Sequence, residues 1–175
     1  MKWVGWICMC FPLMVLAQKP ALPVDAATGK VIYTEVVVVE HVPQSQLYQR
    51  ALQWFKTYFP NPASVIKEQD SVAGRISGQH AIYIFKDVEG KPFKVGQVKY
   101  RFTVMVKDGR YKYVADDIFR LTSPKEYAEE WLDESHPDKE NRFGYARQVH
   151  QHITGLIEEF KKAMSAAPAE QSTDW

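Results

Sequence analysis

Apolar and polar residues alternate along residues 95–121, and the alternation is interrupted at its centre by Asp108-Gly109. Alternation with period two belongs to a strand with one buried face, and Asp-Gly between two such runs marks a two-residue hairpin turn. Counting outward from that turn sets Val106 opposite Tyr111, Val104 opposite Tyr113, Phe102 opposite Ala115, Tyr100 opposite Asp117 and Val98 opposite Phe119. That face is apolar along most of its length. The other face pairs Met105 with Lys112, Thr103 with Val114, Arg101 with Asp116 and Gln97 with Arg120.

Other segments follow from the same kind of pattern. Residues 31–42 are dense in β-branched side chains, above all Val36-Val37-Val38-Val39, and predict a strand covered on both faces or crossing a sheet interior. A helix opens after Pro43, with Ser45 as its N-cap, and its stripe is Leu47, Ala51, Phe55 and Tyr58, broadened by Tyr48, Leu52 and Phe59. Pro60-Asn61-Pro62 ends it, because proline cannot continue the hydrogen-bond ladder. Two strands are expected at residues 64–69 and 75–85, with turns at 70–74 and at Gly90-Lys91-Pro92. Residues 122–142 form an acidic connection with a short helical turn near 127–132. A long amphipathic helix then begins at Phe143, where Ala146, Val149, Ile153, Leu156, Ile157, Phe160 and Met164 recur at helical spacing.

The order β-α-β-β-β-β-α predicts an α+β fold: an antiparallel sheet of about five strands with two helices packed on one face. No internal repeat interrupts it. Residues 28–164 are expected to form this single domain, preceded by an extended lead-in at 18–27 and followed by a flexible tail at 165–175.

The first residues read as an address. Met1-Lys2 supplies a positive start, an apolar run follows to Leu16, and Val15-Leu16-Ala17 offers the small-residue pattern of a signal-peptidase site. The apolar stretch is shorter than a membrane span and contains Pro12. A cleavable signal peptide at residues 1–17 is therefore expected, with no transmembrane anchor and with a periplasmic or secreted destination. Both cysteines, Cys8 and Cys10, leave with it, so the mature chain has neither a disulfide nor a thiol nucleophile.

Particular stretches resemble a known family. They are Pro23-Val24-Asp25, the run from Thr28-Gly29-Lys30 through Val36, the run from Leu47 to Phe55, and Lys107-Asp108-Gly109-Arg110-Tyr111. Together they are similar to an uncharacterised family of exported bacterial proteins, found largely in Bacteroides-type bacteria and described as a domain of unknown function with a TATA-binding-protein-like fold. The resemblance spans about residues 22–121 and stops short of the acidic segment at 122–142. It implies the fold and the export, and it brings no catalytic residues.

Charge then narrows the function. The chain has 22 Lys+Arg against 21 Asp+Glu, a formal net charge of +1, which removes the usual electrostatic reason to expect nucleic-acid binding by the whole chain. His150 and His152 stand two apart on a helix and cannot share an ion, while His41 and His80 have no ligand cluster near them in sequence. His136, with Asp133, Glu134 and Asp138, has ligand types but no zinc or EF-hand spacing, so no metal and no cofactor is expected. There is no G-x-S-x-G elbow, and Gly74 and Gly78 precede no helix that would cradle phosphate.

Two features invite binding. Lys99, Arg101, Lys112 and Arg120 share the polar hairpin face with Asp116, which reads first as a solvated face and second as a docking face for an acidic partner, a protein or small molecule in the envelope. Asp117 falls on the apolar face opposite Tyr100, as a structural bond or as a polar group in an aromatic pocket. The favoured function is an exported, non-catalytic binding or envelope-associated module. The alternatives are a carrier of a small apolar ligand between sheet and last helix, held by Tyr100, Phe102, Tyr111, Tyr113 and Phe119, and a hydrolase whose site assembles only in the fold. Export has a direct check: the intact mass of protein recovered outside the cytoplasm should correspond to a chain starting at or near Gln18. A mass that includes Met1 would refute cleavage.

Overall fold

The computed structural model describes residues 19–165. The expected signal peptide, both cysteines and the expected tail beyond Ser165 lie outside the described residues. In chain order the elements are β1 (Tyr33–Val38), α1 (Gln44–Tyr58), the single turn α2 (Pro62–Val65), β2 (Ile66–Asp70), β3 (Arg75–Val88), β4 (Lys91–Lys107), β5 (Arg110–Arg120) and β6 (Glu126–Tyr127). A 3-10 turn over Ala128–Leu132 and the long α3 (Lys139–Ser165) complete the fold. The strands run antiparallel in the order β1-β5-β4-β3-β2, and two-residue β6 pairs with the far end of β5.

The Asp108-Gly109 hairpin has the expected register from its turn as far as Arg101 and Asp116. Lys107 faces Arg110 across a two-residue loop, and Gly109 takes the left-handed conformation (φ 70°) that this turn requires. The turn also anchors the start of α1. The Asp108 carboxylate accepts the Gln44 backbone N–H at 2.7 Å, and the Gly109 N–H donates to the Val42 carbonyl at 2.9 Å. Ser45 is therefore not the cap that the sequence suggested; Pro43 holds that position without a side-chain bond, and a residue 64 positions away supplies the acceptor.

Beyond Asp116 the register changes. Asp117 sits at φ 50° as an extra residue in β5, so Lys99 pairs with Phe119 and Val98 with Arg120. A one-residue bulge exchanges the faces of everything after it. Ile118 takes the buried place that simple alternation assigned to Asp117. Phe119 moves to the opposite face against Tyr127, with ring centroids 5.6 Å apart. Arg120 moves to the helix-covered side, stands over the Tyr145 ring and pairs with Glu126.

A second correction concerns the valine run. β1 is an edge strand of the sheet, not an interior one. Tyr33 is buried and Val37 partly so on the helix side, whereas Val36 and Val38 are 57% and 66% exposed on the other side. β-Branched side chains favour the pleated backbone wherever the strand lies, so their density says strand without saying edge or centre.

α1 and α3 cover one face. Trp54 meets Phe102 (5.5 Å between centroids) and Phe160 (5.0 Å), while Phe160 also packs on Phe102 (5.3 Å) and Tyr111 (5.4 Å). Gly78 of β3 permits the closest approach of α1: a Cβ there would lie 2.8 Å from the Phe55 ring. The acidic connection is tied down by Trp131, which is fully buried, and α3 starts at Lys139, one turn earlier than its apolar stripe. A glutamine seals the far end of the sheet. The Gln148 side chain accepts the Phe85 N–H at 2.9 Å and donates to the Phe85 carbonyl at 2.6 Å, at the irregularity between Ile84 and Phe85.

The two faces should differ sharply in their energetic weight. Phe102→Ala, at a position 1% exposed, is expected to cost about 3–5 kcal/mol in urea unfolding. Arg101→Ala breaks only the partly exposed pair with Asp116 and is expected to cost about 1 kcal/mol or less. Equal losses would mean that both faces are buried.

Candidate binding face

Helices cover only one face of the sheet, so the other presents strand side chains directly to solvent. Its central rows are small and mutually satisfied: the Ser77 and Thr103 hydroxyls bond at 2.9 Å, and both residues are buried by their neighbours. Arg101 holds Asp116 through two bonds of 2.8 and 2.9 Å, and Arg75 holds Glu68 at 3.0 Å. These pairs leave little net charge in the middle of the face.

The hairpin end differs. Val36, Met105, Lys107, Arg110 and Lys112, with the Tyr111 backbone position between them, line a cleft of about 320 Å³ contributed by β1, β4 and β5. No carboxylate lines it, and Lys107, Arg110 and Lys112 have no ion-pair partner among the described residues. Val38, paired with Arg110, extends the apolar floor. A cationic rim on an apolar floor is suited to an anionic group attached to an apolar one.

Of the residues singled out in the sequence, Lys99, Arg101 and Lys112 do share this open face. Arg120 does not, because the bulge turns it inward. Asp117 and Tyr100 are also separated: Asp117 lines a small recess with Lys30, Arg101, Tyr127 and Glu129, and Tyr100 is buried on the helix side. Val36, Val38, Lys107 and Arg110 were missed. Their signal was present, since the hairpin register places Lys107 and Arg110 beside Lys112, but assigning β1 to the interior hid the face that completes them.

The helix-covered face brings histidines to tyrosines. Tyr33 Oη lies 3.0 Å from His150 Nδ1, and Tyr100 Oη lies 2.9 Å from His152 Nε2 and 3.5 Å from His80 Nδ1. His80, isolated in the sequence, thus joins His152 across one hydroxyl. Burial pushes the Tyr33 and Tyr100 hydroxyls well above their usual range, so they remain protonated hydrogen-bonding groups. Among the described residues no carboxylate, serine or cysteine bonds to His80 or His152; Ser77 stands on the opposite face. Among the described residues no three His, Cys, Asp or Glu side chains converge as metal ligands, and no helix is long and apolar enough to cross a membrane. Phe102, Tyr111 and Tyr113 contact Phe160, so the aromatic face named for an apolar ligand is occupied by the protein's own helix.

An antiparallel sheet with two helices on one face and an open second face is the TBP-like arrangement. Residues 33–119 match the family model described as a domain of unknown function (DUF4468) with TBP-like fold, and the chain carries a domain of that family. Solved structures are similar, two of them as follows. One is a DUF4468 family protein from Bacteroides ovatus ATCC 8483, with a TM-score of 0.65 and 19% identity, over 83% of this chain and 91% of that one. The other is a TBP-like protein from Parabacteroides distasonis ATCC 8503, with a TM-score of 0.65 and 18% identity, over 83% of this chain and 98% of that one. At those identities the likeness concerns the fold. No curated protein matches the chain in sequence.

The histidine pair makes stability depend on pH. Burial holds both His80 and His152 below the ordinary imidazole value, and for His152 the neighbouring His80 adds to the effect. The unfolded chain then binds these protons more readily than the folded one. Their effect is absent above the unfolded value of about 6.5, and stability falls as pH drops through it toward the folded values. Urea unfolding at pH 8 and pH 5.5 should show the wild type losing more stability on acidification than the His80→Gln/His152→Gln protein. Equal losses in the two proteins would rule the pair out as the source.

Proposed function

We propose that this chain is an exported, non-catalytic binding module that engages its partner through the open face of the sheet. The observation that carries the proposal is the asymmetry of the sheet. One face is sealed by α1 and α3, while the other keeps two valines exposed beside three cations that no acid among the described residues neutralises. Exposing apolar side chains gains nothing for a monomer, and a contiguous apolar patch rimmed by charge is the usual mark of an interaction surface. Export is supported by the apolar segment and Ala17 motif at residues 1–17. An export route also places the partner in the envelope or outside it, away from the cell's nucleic acid, and the balanced charge of the chain agrees with a protein partner.

Position-specific photo-crosslinking in the intact envelope of the native host tests this reading. A photoreactive residue at Val36, on the open face, should give discrete adducts that disappear in the Arg110→Glu/Lys112→Glu background. The same residue at Gln53, on the exposed side of α1, should give none. Matching adduct patterns from the two positions would contradict the proposal.

A further inference from the structure

Among the described residues β1 has one partner strand, β5, and no strand beyond it. The lead-in covers its outer edge only at the beginning, through the Val24–Val31 bridge and the Ile32 N–H bond to the Pro23 carbonyl at 2.9 Å. Among the described residues, no backbone hydrogen bond reaches the outer side of Tyr33–Val38. Sheets usually blunt such an edge with proline, a bulge, an outward charge or a covering segment. This strand has no proline and keeps unbroken register, and its one charge, Glu35, is taken up by Lys161 and the Tyr113 hydroxyl. It is a strand with an unused row of donors and acceptors.

The two sides of that edge differ in chemistry. On the open-face side lie Val36 and Val38, with Arg110 and Lys112 one strand further in. On the helix side a groove of about 360 Å³ runs beside the strand, lined by Ile32, Tyr33, Tyr113 and Ile157 together with Thr154, Glu158 and Lys161, whose ammonium is held by Glu35. A strand added beside β1 would sit about 4.8 Å away, and successive side chains would fall on opposite sides. Its open-face residues would lie two strand spacings, about 10 Å, from Arg110 and Lys112, a gap that a glutamate and a lysine span together.

We infer that β1 accepts an extended segment of a partner protein as an additional strand, with acidic residues on its open-face side and apolar residues on the alternate positions that enter the helix-side groove. The inference rests on the open-face reading above and names the partner's chemistry. Backbone bonds to the edge would supply affinity, and the alternating side chains specificity. Charge selects this occupant over a second copy of the chain. Pairing β1 with β1 would put two sets of Lys107, Arg110 and Lys112 on one continuous face, with no acid supplied for either.

The probe is a capped decapeptide of alternating Glu and Val, titrated at low ionic strength into the mature protein and followed by amide hydrogen exchange and sedimentation. Binding should slow exchange of the outward-facing amides in Tyr33–Val38 at least tenfold. Methylating the peptide's backbone nitrogens, or introducing Arg110→Glu/Lys112→Glu, should each weaken binding at least tenfold. If the methylated peptide binds equally well and only charge reversal matters, strand addition is wrong while the open face stands. If the peptide does not bind, or if the free protein is a dimer already protected at those amides, the proposed occupant is wrong. The crosslinking at Val36 reports on the open-face reading independently of either result.

Discussion

The structure depends on the meeting of Trp54 and Phe160 over Phe102. One ring comes from α1, one from α3 and one from the centre of the sheet, and all three are buried. Aromatic side chains bury more area than any others, and here the edge-to-face contact at 5.0 Å between Trp54 and Phe160 joins the two helices directly. Because both helices are committed to this cluster, neither is left to cover the second face of the sheet. The open face follows from where the aromatic residues were placed.

The polar contacts then set how the helices lie on the sheet. Tyr33 and Tyr100 reach His150 and His152 from different strands, so α3 is held from two sides of its buried stripe. Lys161 bonds Glu35 of β1, and the Arg50 guanidinium of α1 donates to the Met164 carbonyl at 2.7 Å near the end of α3. The hairpin turn, through Asp108 and Gly109, holds the start of α1. These bonds connect segments more than 50 residues apart, and they orient elements whose attraction is mainly apolar.

Much of this architecture was legible in local pattern, and the exceptions have physical causes. Period-two alternation around Asp108-Gly109 identified the hairpin, its register as far as Asp116 and the buried side of Phe102, Val104, Tyr111 and Tyr113. Asp117 broke the register because aspartate tolerates a left-handed backbone, so no glycine announced the bulge. That single residue misplaced Phe119 and Arg120. The valines of β1 were legible as a strand but not as an edge, because strand propensity does not depend on what lies alongside. The cap on α1 and the meeting of His80 with His152 are long-range, and no spacing in the sequence encodes either. For the candidate site, the cations Lys99, Arg101 and Lys112 were readable from register, whereas the cleft required knowing that Val36 lies beside Lys112.

One face of the sheet is sealed and the other open, and methyl-resolved NMR with a soluble paramagnetic agent distinguishes the two in solution. Val36, Val38 and Met105 methyls should relax strongly, while those of Ile76, Val104, Val106 and Ile153 should change little. Comparable relaxation in the two groups, or protection of Val36 and Val38 in the isolated protein, would contradict it.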